Sequence, residues 1–151
     1  MSQDGVGDVD LSVGYALKQA ASALRGRMDA VLRPLELTVP QYACLELLGQ
    51  REGLSSAELA RGAFVSRQAM NQVLRGLQER GLLERPATSD HGRALPTRLT
   101  GDGEAVLQAA SRSVAEVERR MLGDFTSARR RRLREDLAAC IASLAWENGN
   151  V

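Results

Sequence analysis

With 151 residues, 44% of them hydrophobic, the chain is long enough to bury one core without help from disulfides. Its two cysteines are far apart, and we find no signal peptide and no membrane-length apolar run, which predicts a cytoplasmic protein with free thiols and no membrane partner. The net charge is only +1, but residues 61–98 hold seven Arg against three acidic residues. Positive charge concentrated in this way is typical of a surface that binds a phosphate backbone.

The N-terminal part of the chain predicts a tail and then a long helix. Residues 1–10 are polar, and we expect a flexible tail there. From Leu11, apolar residues recur every three or four positions, which predicts a helix over about residues 11–34 that ends near Pro34. A helix of this length on a small domain is expected to pack against something outside that domain.

Two shorter helices follow, and capping residues predict where each of them begins. Thr38 with Gln41 three positions later has the pattern of a capping box, and the helix that they open should end near Gly53. Ser55 and Glu58 repeat the same spacing, so a reciprocal capping box is predicted for the next helix as well.

A fourth helix should begin after Ser66 and end at Gly81. Its apolar positions at helical spacing are Met70, Val73, Leu74 and Leu77. Its opposite face carries Arg67, Gln68, Asn71, Gln72, Arg75 and Gln78. Arg pairs with guanine and Asn or Gln with adenine in the major groove, whereas a merely solvated face would more often alternate Lys and Glu. This pattern therefore predicts a DNA recognition helix.

Residues 82–99, which follow this helix in the chain, predict a small β-hairpin. Two short apolar runs flank a polar turn rich in Asp, Gly and Ser, and the prolines favour an edge hairpin. Arg93 lies beside a glycine near the tip, where its guanidinium could enter a minor groove; the alternative is an ion pair with Asp90. Together with the two preceding helices, the hairpin predicts a mainly α (α+β) fold, the winged helix-turn-helix.

The chain ends in two more amphipathic helices. One opens at Thr100, is interrupted near Gly123, and is followed by a last helix that Thr126 caps. We predict one domain over residues 11–151, with a DNA-binding lobe at about 37–100 and dimerisation helices at about 11–34 and 101–147. Three long amphipathic helices exceed what the central lobe can cover, so we expect a symmetric homodimer that presents two recognition helices to successive major grooves.

These motifs also resemble a known family. From Leu37 to Leu107 the chain is similar to the MarR-type bacterial transcription regulators. The residues that carry the resemblance are Ser66, Arg67, Leu77, Gly81, Leu82, Arg85, Asp90, Arg93, Leu99, Thr100 and Gly103. The resemblance implies the same dimeric arrangement. It also implies a pocket for a small lipophilic or aromatic ligand between the dimerisation helices and the DNA-binding lobe, where Tyr15, Met28 and Tyr42 are candidate lining residues, with ordinary core packing as the alternative.

We predict a repressor that binds a pseudo-palindromic operator and is released by such a ligand. The expected base-edge contacts are Arg67, Gln68 and Asn71. Ser66 and Gln72 are expected to lie with them at the major groove. For these two residues and for Arg75, a contact with a phosphate is favoured over a contact with a base. In the wing, Arg93 and Ser89 are the expected DNA contacts.

Other functions find less support in the sequence. His91 is the only histidine and no ligand cluster accompanies it, so we expect no metal site and no cofactor. No nucleophile with a base, no phosphate loop and no paired carboxylates are found, which argues against an enzyme. Two alternatives stay open: a helical protein-interaction module that binds no DNA, and a peroxide sensor that uses Cys44.

Overall fold

The computed structural model describes residue 8 and residues 11–85 and 97–145. The elements in chain order are α1 (Val13–Leu32), a 3-10 turn (Arg33–Leu35), α2 (Val39–Gln50), α3 (Ser56–Gly62), α4 (Arg67–Glu79), β1 (Leu83–Glu84), β2 (Arg98–Leu99), α5 (Gly101–Met121) and α6 (Ser127–Leu144). This order confirms the predicted mainly α winged helix-turn-helix with long terminal helices. The predicted tail, apart from Asp8, and the tip of the predicted hairpin lie outside the described residues.

The chain divides into two compact units, residues 1–117 and residues 118–151. The first contains the helix-turn-helix, both strands and most of α5. The second contains the end of α5 and all of α6. The helix-turn-helix and its supporting core therefore belong to the first unit.

Side-chain caps set the starts of the helices. Thr38 and Gln41 form the predicted capping box, with the Gln41 amide donating to Thr38 Oγ1 (3.3 Å) and the Thr38 amide donating to Gln41 Oε1 (2.9 Å). At α3 the predicted box is only half made. Ser55 Oγ accepts from the Glu58 amide (3.1 Å), but the Glu58 carboxylate accepts from that same hydroxyl (3.0 Å) rather than from the Ser55 backbone.

Three helical segments end in the same kind of turn. In each, one residue at the C-terminal end adopts a left-handed conformation, and two backbone amides bond back to the last turn, which is the Schellman motif. The left-handed residues are Glu36 (φ 56°), Phe64 (φ 58°) and Gly81 (φ 72°). Gly81 confirms the stop predicted for α4. Glu36 and Phe64 reach the same conformation with a side chain attached, which is unfavourable for L-residues.

The core of the first unit lies behind α4. The side chains that are fully shielded from solvent include Leu32, Leu45, Leu59, Met70, Leu74, Leu77 and Leu83. Three of them come from α4 and repeat at three- or four-residue spacing, as predicted. Because that face of α4 is held in the core, the opposite face must point to solvent.

The base of the wing is the described part of the predicted hairpin. Strands β1 and β2 pair antiparallel, with Leu83 opposite Leu99 and Glu84 opposite Arg98. The Arg98 Nε lies 3.7 Å from Glu84 Oε2, but both side chains are exposed, so this ion pair contributes at most about 1 kcal/mol. Leu83 anchors the strand pair because it is buried in the core.

A short latch joins the end of α4 to the start of α5. The Thr100 hydroxyl donates to the Gly81 carbonyl (2.6 Å) and accepts from the Gly103 amide (3.0 Å), which caps α5. The Thr100 amide in turn donates to the Leu82 carbonyl (3.2 Å). Gly103 lies directly against that carbonyl, where a Cβ atom would overlap it. These contacts position α5 against the residues that follow α4.

Arg80 ties the C-terminal end of α4 to the junction between α1 and α2. Its Nη1 donates to the Glu36 carbonyl (2.7 Å) and its Nη2 to the Leu35 carbonyl (3.3 Å), across more than forty residues of sequence. The planar guanidinium can span two carbonyls in a way that a single ammonium cannot. Arg80 therefore helps set the orientation of α4 relative to the end of α1.

We expect Arg80→Ala to lower the free energy of unfolding by about 1 kcal/mol, because two charge-assisted hydrogen bonds are lost at a solvent-exposed site. Arg80→Lys should recover only part of the loss. The matched control is Gln78→Ala on the same exposed turn, which should stay within about 0.5 kcal/mol of wild type. Urea unfolding followed by circular dichroism measures the stability of all three variants. Equal midpoints for Arg80→Ala and wild type would contradict a stabilising role for the Arg80 hydrogen bonds.

Candidate nucleic-acid interface

The exposed face of α4 carries the side chains expected to contact DNA. Ser66 caps the helix, since its Oγ accepts from the Ala69 amide (3.1 Å). The exposed residues of the helix are Arg67, Gln68, Asn71, Gln72, Arg75, Gln78 and Glu79. The structure thus brings together on one face every predicted major-groove residue and Arg75.

Helical spacing arranges these side chains in two rows. Arg67, Asn71 and Arg75 follow one another at four-residue intervals, and Gln68 and Gln72 form a second row beside them. Neighbours at this spacing have Cβ atoms about 5–6 Å apart, which is close enough for several to reach one stretch of a groove. The positive N-terminal end of the helix dipole lies beside Ser66 and also favours a phosphate.

The tip of the predicted wing carries the remaining predicted contacts. Ser89 and Arg93 lie outside the described residues, so their predicted DNA contacts stay predictions, as does the alternative ion pair of Arg93 with Asp90. At the base of the wing, Arg85 and Arg98 are exposed.

Sequence reasoning missed Phe64, in the turn between α3 and α4. Its side chain is 94% exposed. The signal was available in the sequence, since an aromatic residue stands between the predicted stop of α3 and the N-cap of α4.

The three predicted ligand-pocket residues have different surroundings. Tyr42 is buried in the core and Met28 packs half-buried against it, whereas Tyr15 is 41% exposed. Tyr15 and Met28 are thirteen positions apart on α1, which corresponds to about 20 Å along the helix axis. One small ligand bound to a single chain would therefore not reach both Tyr15 and Met28.

A separate open groove lies between α2 and α5, with a volume of about 410 Å³. Its lining residues are Glu46, Gly49, Gln50, Leu107, Gln108, Ser111 and Arg112. The volume falls within the usual range for small-molecule sites. Arg112 is exposed and supplies a cation, whereas Leu107 supplies apolar surface. The groove joins residues about sixty positions apart, so no local pattern in the sequence pointed to it.

Cys44 is a poor candidate for a peroxide-sensing thiol. It is fully buried, and burial raises the pKa of its thiol to about 12. Arg85 acts in the opposite direction, a cation that sequence reasoning did not place near this residue, but burial is the larger effect. Because the thiolate is the reactive form, a thiol with this pKa is inert near neutral pH. Both cysteines are free, as predicted, and Cys140 is exposed.

We expect a Cys140→Ser protein, in which Cys44 is the only thiol, not to react with a disulfide reagent at pH 8 while it is folded. Burial raises the pKa of the Cys44 thiol so far above pH 8 that the unreactive protonated form dominates. Unfolding in guanidinium should expose the thiol and allow one equivalent to react. The absorbance of the thiolate released from the reagent measures the reaction of the folded and of the unfolded protein. Rapid stoichiometric reaction of the folded protein would contradict the burial of the Cys44 thiol.

The four consecutive arginines at positions 129–132 belong to the second unit. Because the N-terminal end of a helix disfavours cations, the sequence predicts a solvated face that pairs with Glu135, Asp136 or a partner chain, rather than a distal phosphate contact. Two of the four have local partners. The Arg129 guanidinium stacks over the Phe125 ring at 3.7 Å from its centroid, and Arg130 donates to the Leu122 carbonyl (2.9 Å). These contacts occupy two of the guanidinium groups within their own unit.

Within the part of the chain that the structure describes, no three His, Cys, Asp or Glu side chains gather closely enough to hold a metal ion. None of the helices in those residues has the length and apolar character needed to cross a bilayer.

Comparison with known proteins is consistent with this geometry. The MarR family model matches residues 35–94. The HTH-type transcriptional repressor Rv2887 of Mycobacterium tuberculosis is 43% identical over 128 residues, which are 85% of this chain and 92% of that protein. The crystal structure of Rv2887 with salicylic acid has a TM-score of 0.72 at 42% identity and covers 87% of this chain and 97% of that one. The crystal structure of Rv2887 with DNA has a TM-score of 0.71 at 40% identity, with 87% and 98% covered.

Proposed function

This chain belongs to the MarR family, and we propose that it is a transcriptional repressor that binds double-stranded DNA at a specific sequence. One observation carries the proposal: α4 buries its apolar face in the core and turns its Arg, Gln and Asn side chains toward solvent. The Mycobacterium tuberculosis relative is named a repressor and has been crystallised with DNA, which supports the same role here. A protein that acts on the bacterial chromosome works in the cytoplasm, and we assign it there.

Arg67, Gln68 and Asn71 are the residues to which we assign base-edge contacts. They occupy the first turns of α4, the part of a recognition helix that enters the major groove. Ser66, Gln72 and Arg75 are assigned to the flanking phosphates, which hold the protein in register. Arg93 and Ser89 are assigned to the wing contact. This role requires no catalytic step, cofactor or metal ion.

The functional form is proposed to be a homodimer. Large apolar side chains are left exposed on α1 and just before it, including Leu11 (82%) and Val13 (77%), and on α6, including Ile141 (69%) and Leu144 (79%). Exposed apolar surface of this extent favours association between chains. A two-fold axis would place two copies of α4 about 34–36 Å apart, one helical turn of DNA, so the operator should be pseudo-palindromic.

Selection from a random-sequence duplex pool tests DNA binding directly. The wild-type protein should enrich one pseudo-palindromic sequence, protect it from nuclease cleavage, and lose affinity steeply with salt because phosphate contacts release counterions. Light scattering should give the mass of two chains, and a reporter gene with the selected sequence in its promoter should be repressed. Enrichment of no sequence at any salt concentration would overturn the proposal.

We further propose that a small aromatic anion releases the dimer from DNA. The Mycobacterium tuberculosis relative has been crystallised with salicylic acid, so this compound is the first to test. A ligand releases the operator only if it binds one arrangement of the recognition helices better than the other. The predicted residues Tyr15, Met28 and Tyr42 are one candidate site, which would need Tyr15 from the second chain. The groove between α2 and α5, which Arg112 lines, is a second candidate site.

Two variants distinguish these ligand sites. Arg112→Gln removes the cation of the groove, whereas Tyr15→Ala alters only the predicted pocket. Whichever change raises the salicylic acid concentration needed for operator release, without altering DNA affinity itself, marks the site. If salicylic acid at millimolar concentration neither binds by calorimetry nor releases DNA, this class of effector is wrong.

Among the residues that the structure describes, no feature favours the two alternatives over DNA binding. The burial of Cys44 argues against peroxide sensing through that thiol. A protein-interaction module would not need a basic, amide-rich face on α4. Recovery of a stable protein partner together with failure of the duplex selection would favour that alternative.

A further inference from the structure

Phe64 combines two features that an aromatic residue rarely combines. Its side chain is 94% exposed, and its backbone has a φ of 58°, in the left-handed region that favours glycine. Exposure leaves a large apolar ring in water, and the backbone conformation is strained for any residue with a Cβ atom. Both features cost free energy, and backbone strain of this kind is often found at functional sites.

The turn itself does not need the ring. It is closed by backbone hydrogen bonds from the Phe64 amide to the Arg61 carbonyl (3.2 Å) and from the Val65 amide to the Ala60 carbonyl (3.0 Å). The apolar residue that follows, Val65, is half-buried and packs against the core, so the turn has an apolar anchor without the Phe64 ring. The equivalent turn after α4 uses Gly81. A glycine at position 64 would therefore close the turn with less strain.

The location of Phe64 connects it with the recognition helix. It lies three residues before Arg67 and three after Arg61, both of which are exposed. Three residues of chain span at most about 11 Å, less than the roughly 12 Å width of the major groove. With the first turn of α4 in the groove, the Phe64 ring would stand at the rim of that groove.

Other exposed apolar side chains have a different explanation. Among the described residues, the remaining large ones lie at positions 11–17 and 121–144. Those are the helices to which the proposed dimer assigns a partner. Phe64 lies in neither region, and its flanking arginines give its surroundings the charge of a DNA-facing surface rather than of an apolar protein interface.

We propose that Phe64 is a DNA-contacting residue whose ring packs against a thymine methyl group at the rim of the major groove in each half-site. The inference rests on the proposed DNA-binding function. The thymine C5-methyl is the apolar group that the major groove offers, and phenylalanine is suited to it. Arg61 and Arg67 would hold the phosphates on either side. The contact removes the ring from water only in the complex with DNA.

The first test compares Phe64→Gly with Glu36→Gly on the duplex that the wild-type protein selects from a random pool. Both changes place glycine at the left-handed position of a Schellman motif, so both should raise or preserve the melting temperature. Phe64→Gly should weaken binding roughly tenfold per half-site, as expected for losing a buried ring. The affinity of Glu36→Gly for the duplex should stay within about threefold of wild type. Removing the negative charge of Glu36 can only strengthen binding to the DNA phosphates.

The salt dependence separates an apolar contact from a phosphate contact. Phe64→Gly should lower the affinity equally at every salt concentration, with an unchanged slope of log K against log salt, because an apolar contact releases no counterions. Arg75→Ala, in contrast, should flatten the slope by about one per chain. A flatter slope for Phe64→Gly, or an affinity equal to wild type, overturns the proposal.

The second test identifies the methyl group. Each thymine of the selected duplex is replaced in turn by uracil, which removes only the C5-methyl. One replacement per half-site should weaken binding of the wild type and leave binding of Phe64→Gly unchanged. If every replacement affects both proteins equally, the ring has another partner and the proposal is wrong. If the wild-type protein selects no duplex at all, the proposed function has failed, and this inference fails with it.

Discussion

Gln68→Ala is expected to weaken binding to the selected duplex by about 1–3 kcal/mol per half-site, or roughly 5- to 150-fold. Gln68 is exposed in the first turn of α4, and its amide can pair with an adenine edge through two hydrogen bonds. Losing a bidentate contact should also relax the preference for one base pair in each half-site. Fluorescence anisotropy on the selected duplex and on duplexes altered at single positions measures both effects.

Gln78→Ala is the matched control for this prediction. It removes the same side chain from the same exposed face of the same helix, but about 15 Å further along the axis, past the turns expected to lie in the groove. Its affinity should remain within about threefold of wild type. Equal losses in the two variants would mean that α4 does not enter DNA through its N-terminal turns.

Gly103→Ala is expected to destabilise the fold by about 2–4 kcal/mol and to lower the melting temperature by roughly 5–15 °C. A Cβ atom at this position would overlap the Leu82 carbonyl, and that carbonyl also accepts the Thr100 amide. Backbone atoms cannot rotate away as the end of a side chain can. Relief therefore requires α5 to shift away from the segment after α4, which breaks the latch.

Gly101→Ala provides the comparison two residues away on the same helix. A Cβ atom there would meet nothing within 4 Å, so the change should be neutral or stabilising by up to about 1 kcal/mol, as alanine favours helix. Thermal unfolding of both variants at one protein concentration decides the matter. A Gly103→Ala protein as stable as Gly101→Ala would show that the overlap is relieved at little cost.

Local features of the fold were predictable because local interactions set them. The caps at Thr38, Ser66 and Thr126 each satisfy an amide three residues away, so residue type and spacing were enough to place the helix starts. The two faces of α4 followed from the helical repeat alone. The Schellman stop at Gly81 followed from glycine's tolerance of the left-handed conformation.

Predictions that depended on side-chain geometry or on packing between distant residues were less complete. The Glu58 carboxylate was expected to bond to the backbone amide of Ser55, but it accepts the hydroxyl proton, a choice between two nearby donors that spacing does not decide. Tyr15 and Met28 were assigned to one pocket, yet α1 separates them by about 20 Å. Arg85 was not expected near Cys44, because the two are 41 positions apart in the sequence.

The sequence by itself determined where the helices begin and end and which side chains of α4 face outward, since hydrogen bonds over three to five residues and the 3.6-residue repeat control both. Only the tertiary structure decided that Arg80 reaches the carbonyls of Leu35 and Glu36, that Gly103 lies against Leu82, and that the Phe64 ring is left in solvent. These depend on which distant segments pack together and how closely. Such packing is a property of the whole core, to which each residue contributes but which no short stretch specifies.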